Sequence, residues 1–309
     1  MSGIVAYHPH PHELAYTFGG RAPVARVTPG TLMRISTEDC FGGKVRTVDD
    51  LPSLVCEFPR LNPVSGPFHV AGAEPGDTLA LHLVSITPAR DYGFSSTFPH
   101  FGALTSTHTT AMLQPPLEER VWRYEIDAAA GTVRYAARCS DYTVDLPLEP
   151  MLGTVGVAPA ADEVRMTLVP DVHGGNMDTP ELQPGVTLYL PVFVEGALFA
   201  LGDGHARQGH GEVCGVAVEI PTHTVLVVDL IKGVSTPGPR LESETQLLSV
   251  GSARPLEDAY QLVSQAGTAS VGNVCDTNYT MLAAIDKAYL PGALAYGGIH
   301  QRLRAAADH

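Results

Sequence analysis

The sequence predicts a mainly β fold, of the β-sandwich or barrel kind, with a small α+β C-terminal portion. Turn-forming residues are dense, with 31 glycines and 25 prolines, and short apolar runs rather than long helical periodicities lie between them. A chain of 309 residues with 44% hydrophobic content can bury a large core. We expect two interlocked β-rich portions, residues 1–169 and 170–309, with the α+β segment at 250–309.

Three Pro-Gly pairs mark turns from which strands leave. Pro29-Gly30, Pro75-Gly76 and Pro184-Gly185 each precede a run that contains Thr and Leu, and Pro followed by Gly supplies the backbone angles of a tight turn. Their spacing is too irregular for a propeller or solenoid, so similar hairpin turns are favoured over duplication. Further strands are predicted at Val121–Ile126, Thr132–Ala137, Val164–Val169, Val192–Leu201, Val213–Ile220 and Thr224–Leu230, the last two as a hairpin around Pro221-Thr222-His223.

The C-terminal portion is expected to combine a helix with strands. A proline near the first turn, two acidic residues after it and Gly267 as the stop predict a helix at Pro255–Ala266. The pattern beyond it predicts two strands and a short polar helix, at Ser270–Cys275, Thr280–Asp286 and Gln301–Asp308.

Composition and charge exclude several classes of partner. The net charge is −14, with three lysines and no basic run, so a nucleic-acid backbone would be repelled. The longest apolar stretch, Leu188–Gly202, is interrupted by Pro191 and Glu195 and is too short to span a membrane. Met1-Ser2-Gly3-Ile4-Val5 lacks the charged and apolar pattern of a secretory signal, which argues against secretion, and five cysteines without a C-x-x-C pair indicate reduced thiols. We therefore expect a cytoplasmic protein.

One segment, Asp171–Asp178, gathers groups that ligate metals. It places His173, Asn176 and Asp178 around a Gly-Gly pair, and glycine lets the backbone turn His173 and Asp178 towards one point. A polar loop that uses Asn and Asp for turn hydrogen bonds explains the same residues equally well.

A second segment follows the apolar run that starts at Val192. Regular strand alternation would place Glu195, Asp203 and His205 on one face. Carboxylates and imidazoles in apolar sequence are costly to bury unless they are paired, protonated or bound to a cation, so a metal or catalytic role is favoured over a solvated loop. Further polar side chains, those of Gln208, His210 and Glu212, follow in a glycine-rich turn.

These residue types suit the hydrolysis of an unactivated amide. A divalent ion held by His and carboxylate lowers the pKa of bound water and polarises a carbonyl, while a nearby carboxylate shuttles protons. A Ser-Ser-Lys design is disfavoured because Ser95-Ser96 lies outside a Gly/Ser-rich nucleophile segment. A cysteine nucleophile is disfavoured as well, and Cys40 is interpreted as a small buried hydrophobe.

The chain resembles the acetamidase/formamidase family over nearly its whole length. The strongest matches are His173-Gly174-Gly175-Asn176-Met177-Asp178 and the run from Gly202-Asp203 through His205-Ala206 to Gly211-Glu212. The resemblance implies a mostly β fold, hydrolysis of a small linear amide to a carboxylate and ammonia, a divalent metal, and homo-oligomers. Zinc is the expected metal, with calcium as the alternative, and no organic cofactor is expected.

The motifs and the resemblance together assign roles to ten residues. The metal ligands are predicted to be His173, Asp178, Asp203 and His205. The predicted catalytic residues are Glu195 or Glu212 as the general base, with Asp39 carried over from the family's acidic residue before a Gly-rich turn. The side chains expected to contact substrate or support the ligands are Asn176, Gln208 and His210.

Two residues depart from the family pattern. Position 210 is histidine where the pattern has aspartate, and Gly204 stands where a larger apolar residue is common, which would widen the pocket. Two alternatives therefore stay open. One is a β-sandwich that binds metal or a small ligand without catalysis, and the other is a hydrolase of a cyclic amide or another non-peptide C–N bond.

Overall fold

The computed structural model describes residues 4–103, 116–253, 268–273, 279–286 and 295–307. These residues are mostly β, which confirms the predicted fold class. The helices among them are short: α1 (Pro52–Val55), and α2 (Ile299–Ala307) after a 3-10 turn. None of these helices is long and apolar enough to cross a membrane. The predicted helix at Pro255–Ala266 lies outside the described residues.

Within the described ranges, the strands are numbered in chain order. The first twelve are β1 (Val5–Tyr7), β2 (Thr17–Phe18), β3 (Ala25–Val27), β4 (Thr31–Thr37), β5 (Val64–Val70), β6 (Thr78–Pro88), β7 (Tyr92–Thr97), β8 (Arg120–Asp127), β9 (Thr132–Ala136), β10 (Thr143–Pro147), β11 (Met151–Gly156) and β12 (Arg165–Met166). The others are β13 (Gly174–Asn176), β14 (Thr187–Pro191), β15 (Phe199–Arg207), β16 (Val218–Ile220), β17 (Thr222–Ile231), β18 (Arg240–Glu242), β19 (Gln246–Ala253), β20 (Thr268–Asn273) and β21 (Tyr279–Asp286).

Within the described ranges, the strands form two large sheets and a small one. The nine-stranded sheet has the order β1-β4-β17-β6-β14-β18-β19-β21-β20. The ten-stranded sheet has the order β10-β9-β8-β7-β16-β15-β11-β13, with β5 also paired to β15 and β3 to β5. Both sheets take strands from before and after residue 170, because β4 pairs with β17 and β5 pairs with β15.

The main hydrophobic core lies between the two large sheets. Met33 and Leu81 reach it from the nine-stranded sheet, and Phe68 and Phe199 from the ten-stranded sheet. The rings of Phe68 and Phe199 lie 5.1 Å apart between centroids. Each such fully buried side chain contributes about 1.5–3 kcal/mol relative to an exposed one, so this layer holds the sheets face to face.

The three Pro-Gly turns form as predicted. Gly30, Gly76 and Gly185 have φ values of 84°, 96° and 88°, a backbone region that glycine enters without steric cost. The strands β4, β6 and β14 begin within two residues of these glycines and all belong to the nine-stranded sheet. The predicted strands at β8, β9, β17 and β21 are also confirmed, with β9 ending at Ala136. The strand predicted at Ser270–Cys275 is confirmed as far as Asn273, and residues 274 and 275 lie outside the described residues.

The predicted strand at Val192–Leu201 is wrong over most of its length. Gly196, Ala197 and Leu198 all have positive φ, at 77°, 58° and 55°, and this turn delays the start of β15 to Phe199. The run at Val164–Val169 contributes only the two-residue strand β12.

The hairpin predicted around Pro221-Thr222-His223 is also wrong. Of the run predicted at Val213–Ile220, only β16 forms, and it lies in the ten-stranded sheet, whereas β17 lies in the nine-stranded sheet. Pro221 therefore stands where the chain passes from one sheet to the other.

Candidate metal centre

Three of the predicted ligands converge over the backbone of Gly153. Strands β11 and β15 are paired, and an added Cβ on Gly153 would lie 2.5 Å from Asp178 Oδ1, 2.6 Å from Asp203 Oδ2 and 2.9 Å from His205 Cε1. All three side chains are buried. The glycine thus leaves the space in which Asp178, Asp203 and His205 meet.

Gln208 orients the imidazole of His205. The Gln208 amide nitrogen lies 2.7 Å from the Asp178 carbonyl oxygen, which can only accept. Its Oε1 therefore points to His205 Nδ1, 2.9 Å away, so Nδ1 carries a proton. The lone pair of neutral His205 then lies on Nε2, which is 3.3 Å from both Asp203 Oδ1 and Glu219 Oε2. Such a hydrogen bond to the far nitrogen is the usual way to orient a metal-binding histidine.

Without a metal, His205 favours its charged form. Burial lowers the pKa of His205, but the carboxylates of Glu219 and Asp203 outweigh burial and hold that pKa well above its usual value. The imidazolium is therefore the cation that the chain itself supplies to this cluster.

A set of neutral polar side chains holds Asp203 and Asp178. Asn62 donates to Asp203 Oδ2 at 2.8 Å and to Asn176 Oδ1 at 3.0 Å. The Thr154 hydroxyl lies 2.5 Å from Asn176 Oδ1 and 3.0 Å from Asp203 Oδ2. Asn273, on β20 of the other large sheet, donates to Asp178 Oδ2 at 2.7 Å. Both sheets therefore position the carboxylates.

Glu212 lies beside this group in the loop between β15 and β16. One carboxylate oxygen of Glu212, one of Asp178 and a ring nitrogen of His205 all lie within 4.8 Å of one another. Burial raises the pKa of Glu212 well above its usual value, and the charge of Asp178 raises it further. Glu212 thus favours its protonated form in the ion-free protein.

Glu219 completes the cluster, although it was not among the predicted site residues. Its Oε1 accepts from the Ala217 amide at 2.8 Å, while its buried Oε2 has no hydrogen bond of good geometry. Burial raises the pKa of Glu219 to about 6, against the opposing effect of His205. One signal was available in the sequence, because Glu219 is the single carboxylate in the apolar run of residues 216–220.

Both carboxylate oxygens of Asp39 accept hydrogen bonds from neighbouring groups. Its Oδ1 accepts from the Gly43 amide at 2.9 Å and its Oδ2 from Arg90 at 2.8 Å. The same Arg90 nitrogen lies 3.3 Å from the Glu219 carbonyl oxygen. Burial raises the pKa of Asp39 and the Arg90 charge opposes this. Asp39 therefore positions Arg90 and the backbone of β16 rather than offering a free base.

Glu195, His210 and Gly204 do not join the cluster. Glu195 is exposed in the turn before β15, so the prediction that it shares a face with Asp203 is wrong. His210 is 58% exposed, with Nδ1 3.9 Å from Glu181. A Cβ on Gly204 would lie 2.8 Å from the Ile220 carbonyl oxygen and against Thr222, so this glycine serves strand packing and does not widen a pocket.

The structure does not bring His173 to the other predicted ligands. His173 lies just before β13, and the φ values of Gly174 and Gly175 after it are 91° and 96°, so its side chain does not follow the regular alternation of a strand. The His173 ring packs against Phe18 with centroids 5.2 Å apart, and both of its ring nitrogens are buried without a hydrogen-bond partner. Burial lowers the pKa of His173 to about 4.

Replacing His173 by glutamine should flatten the acid side of the stability curve. Because the folded-state pKa is about 4 and the ordinary value is about 6.5, the unfolded chain binds more protons between these values. His173 should therefore contribute a loss of about 3 kcal/mol as the pH drops through this window, and this contribution should be missing from His173→Gln, whereas the opposite contributions of the buried Glu212 and Glu219 remain in both proteins. Urea unfolding at several pH values measures the slope. A His210→Gln variant, which removes an exposed imidazole, should keep the wild-type slope, and an unchanged slope in His173→Gln would contradict the assignment.

The charges of the cluster suit a divalent cation. Its four buried carboxylates surround one imidazole, and burying carboxylates without compensation costs several kcal/mol each. Carboxylate oxygens and imidazole nitrogen are ordinary ligands of such ions.

The fold and this centre define a mainly β protein with a buried, carboxylate-rich polar site. The chain belongs to the Acetamidase/Formamidase family, whose model matches residues 21–167 and 144–288.

Known proteins resemble the chain in both sequence and fold. An acetamidase structure from Yersinia enterocolitica is 38% identical, with 91% of this chain and 90% of that chain covered and a TM-score of 0.81. The acetamidase of Mycolicibacterium smegmatis is 27% identical over 264 residues, which cover 68% of this chain and 63% of that protein. The formamidase of Methylophilus methylotrophus is 27% identical over 256 residues, which cover 68% and 61%. The chain thus spans less than two thirds of the length of these two curated relatives.

Proposed function

We propose that this protein is an amidase that hydrolyses a small linear amide to a carboxylate and ammonia with the help of a divalent ion. The observation that carries the proposal is the convergence of Asp178, Asp203 and His205 over Gly153, beside the protonatable carboxyl of Glu212. Membership of the Acetamidase/Formamidase family supports it. Relatives named acetamidase and formamidase point to acetamide and formamide as first substrates.

In this proposal Asp178, Asp203 and His205 hold the ion, with zinc as the first candidate and calcium as the second. The bound ion would acidify water and polarise the amide carbonyl. Gln208 keeps the His205 lone pair on Nε2, while Asn62 and Asn273 fix the carboxylates. These contacts fix the ligands in advance, which limits reorganisation during the reaction.

Glu212 is the proposed acid–base group that transfers a proton from water to the amide nitrogen. Its carboxylate takes a proton from water as the oxygen adds to the carbonyl carbon, and the carboxyl then gives that proton to the nitrogen as the C–N bond breaks. Water is consumed, a carboxylic acid and ammonia leave, and in solution the acid's proton passes to ammonia to give a carboxylate and ammonium. A substrate as small as formamide offers little remote binding energy, so the reaction depends on groups that touch the reacting atoms.

The proposal extends to assembly and location. The family resemblance favours a homo-oligomer. Scattered single cysteines favour a reducing compartment, the cytoplasm. The net charge of −14 argues against a nucleic-acid partner.

Ammonia release from a panel of amides tests the function. The purified chain is stripped with a chelator and reloaded separately with zinc or calcium. We expect the reloaded protein to release ammonia from formamide or acetamide, and the stripped protein to lose at least about 100-fold in rate, as sites of this kind do without their ion. The Asp203→Asn variant, which removes one ligand charge, should remain near the stripped level after reloading.

The same panel separates the alternatives. Turnover of lactams alone would replace the linear amide by a cyclic one. An ion-loaded protein that releases no ammonia would contradict the proposal, and a gain of activity in His210→Asp would then support a family member that binds without catalysis. The exposure of His210 argues against that outcome.

A further inference from the structure

Glu212 lies in a loop whose backbone needs support from other segments. The φ value of Glu212 is 44°, and a residue other than glycine keeps such a value only where its surroundings impose it. Within the loop, the Glu212 amide donates to the Gly209 carbonyl at 3.2 Å, and the Gly215 amide donates to the Glu212 carbonyl at 2.6 Å. Val213 and Cys214, which lie between Glu212 and Gly215, are exposed. The part of the loop that follows Glu212 therefore depends on contacts from elsewhere in the chain.

The segment Phe98–Ala103, termed the strap, follows β7 and supplies such contacts. Three of its residues run antiparallel to three residues of the Glu212 loop, in the pairs Phe101 with Gly215, Gly102 with Cys214, and Ala103 with Val213. The Ala103 amide donates to the Val213 carbonyl at 2.8 Å. An added Cβ on Gly102 would lie 2.8 Å from the Cys214 carbonyl oxygen. The backbone of the strap thus lies directly against the residues that follow Glu212.

The Phe101 ring connects this loop to an apolar cluster beside the ten-stranded sheet. An added Cβ on Gly215 would lie 2.2 Å from Phe101 Cε1 and 2.6 Å from its Cδ1, so the ring packs on the residue whose amide holds the Glu212 carbonyl. The same ring meets Phe98 edge to face, with centroids 6.0 Å apart. Phe98 packs against the cluster that contains Phe94 of β7. Phe101 therefore joins the Glu212 loop to a part of the structure that is fixed by strand pairing.

The predicted ion ligands lie on other elements. Asp203 and His205 belong to β15, and Asp178 follows β13. The strap contacts the loop at residues 213–215, on the far side of Glu212 from β15 in sequence. Loss of the Phe101 ring should therefore displace Glu212 and leave the ion ligands in place.

We infer that Phe101 is a positioning residue for Glu212. The inference rests on the proposed function, in which Glu212 takes a proton from water and gives it to the amide nitrogen. The carboxyl must reach both of these atoms in turn, so its placement affects the rate of the reaction more than the binding of the amide or the ion. Phe101 acts through the loop backbone and takes no part in the proton transfer itself.

Replacing Phe101 by alanine in the ion-loaded full chain tests this inference. We expect kcat for amide hydrolysis to fall by about 10–100-fold, because a displacement of about 1 Å at a reacting group costs about 100-fold. KM and ion content should stay at the wild-type values. In the Glu212→Gln background the same replacement should cause no further loss, since the group that the ring positions is already gone. The matched control is Tyr142→Ala, which removes an exposed ring just before β10 and should change neither background.

Hydrogen exchange of the loop separates this inference from the proposed function. Peptides that cover residues 208–217 should exchange faster in Phe101→Ala than in the wild type, whereas peptides from β17 should be unchanged. Unchanged exchange in the loop, or an equal further loss of kcat in Glu212→Gln, overturns the inference even if ammonia is released. If no amide in the panel is hydrolysed, the proposed function fails, and faster exchange still supports Phe101 as the residue that holds the Glu212 loop. Phe101→Leu repeats the test if circular dichroism shows that the alanine variant is unfolded.

Discussion

Replacing Glu212 by glutamine should lower kcat for amide hydrolysis by about 10²–10⁴-fold, the usual contribution of a positioned acid–base group. Glutamine keeps the size of the side chain but cannot accept and return a proton. Burial and the Asp178 charge already raise the pKa of Glu212, which suits a group that must hold a proton between two steps. Steady-state rates of ammonia release and the ion content of the same samples measure the effect.

Glu195→Gln is the matched control, since Glu195 and Glu212 were predicted from the sequence as alternative bases. Glu195 is exposed in a turn, so its variant should keep the wild-type rate. Loss of bound ion from Glu212→Gln, in parallel with its rate, would show that Glu212 is a ligand instead. A Glu195→Gln variant that is as slow as Glu212→Gln would contradict the assignment of the base.

Replacing Gly153 by alanine should disable the centre while leaving the sheet intact. The new methyl group would lie 2.5–2.6 Å from carboxylate oxygens of Asp178 and Asp203, too close for any real contact, so both must move. A displacement of about 1 Å at reacting groups costs about 100-fold in rate, and we expect ion affinity to fall with it. Ion titration, ammonia release and circular dichroism measure these effects together.

Gly209→Ala separates this effect from a general cost of adding a methyl group. Nothing lies within 4 Å of a Cβ at Gly209, although it follows the supporting residue Gln208. This variant should match the wild type in ion affinity and rate. Wild-type ion affinity in Gly153→Ala would mean that the three side chains do not hold an ion over Gly153.

Local chemistry explains which parts of the fold could be predicted. The Pro-Gly turns and the strands after them were correct, because turn geometry and strand pattern are properties of neighbouring residues. The strand predicted at Val192–Leu201 was wrong, because three successive residues in this apolar run have positive φ values and form a turn. Ala197 and Leu198 carry no signal for that conformation, which their tertiary surroundings impose.

In the candidate site, too, the residues in local motifs were predicted, whereas the contacts set by the tertiary structure were not. Asp178, Asp203 and His205 were predicted because each stands in a recognisable motif, and the structure brings them together. His173 belongs to the same motif but faces away, so a shared motif did not imply a shared face. Glu219 was missed because its partners are distant in sequence.

The pairing of β5 with β15 sets the order in which this centre can assemble during folding. Residues 71–198, which are 128 of the 309 residues, lie between the two strands, and contacts between segments so distant in sequence form slowly. Asn62, just before β5, reaches Asp203 on β15 only after that closure. An ion held by Asp203 would therefore bind after the sheets have formed, rather than nucleate their folding. High contact order and late ion capture would make the newly made chain most vulnerable before its sheets close.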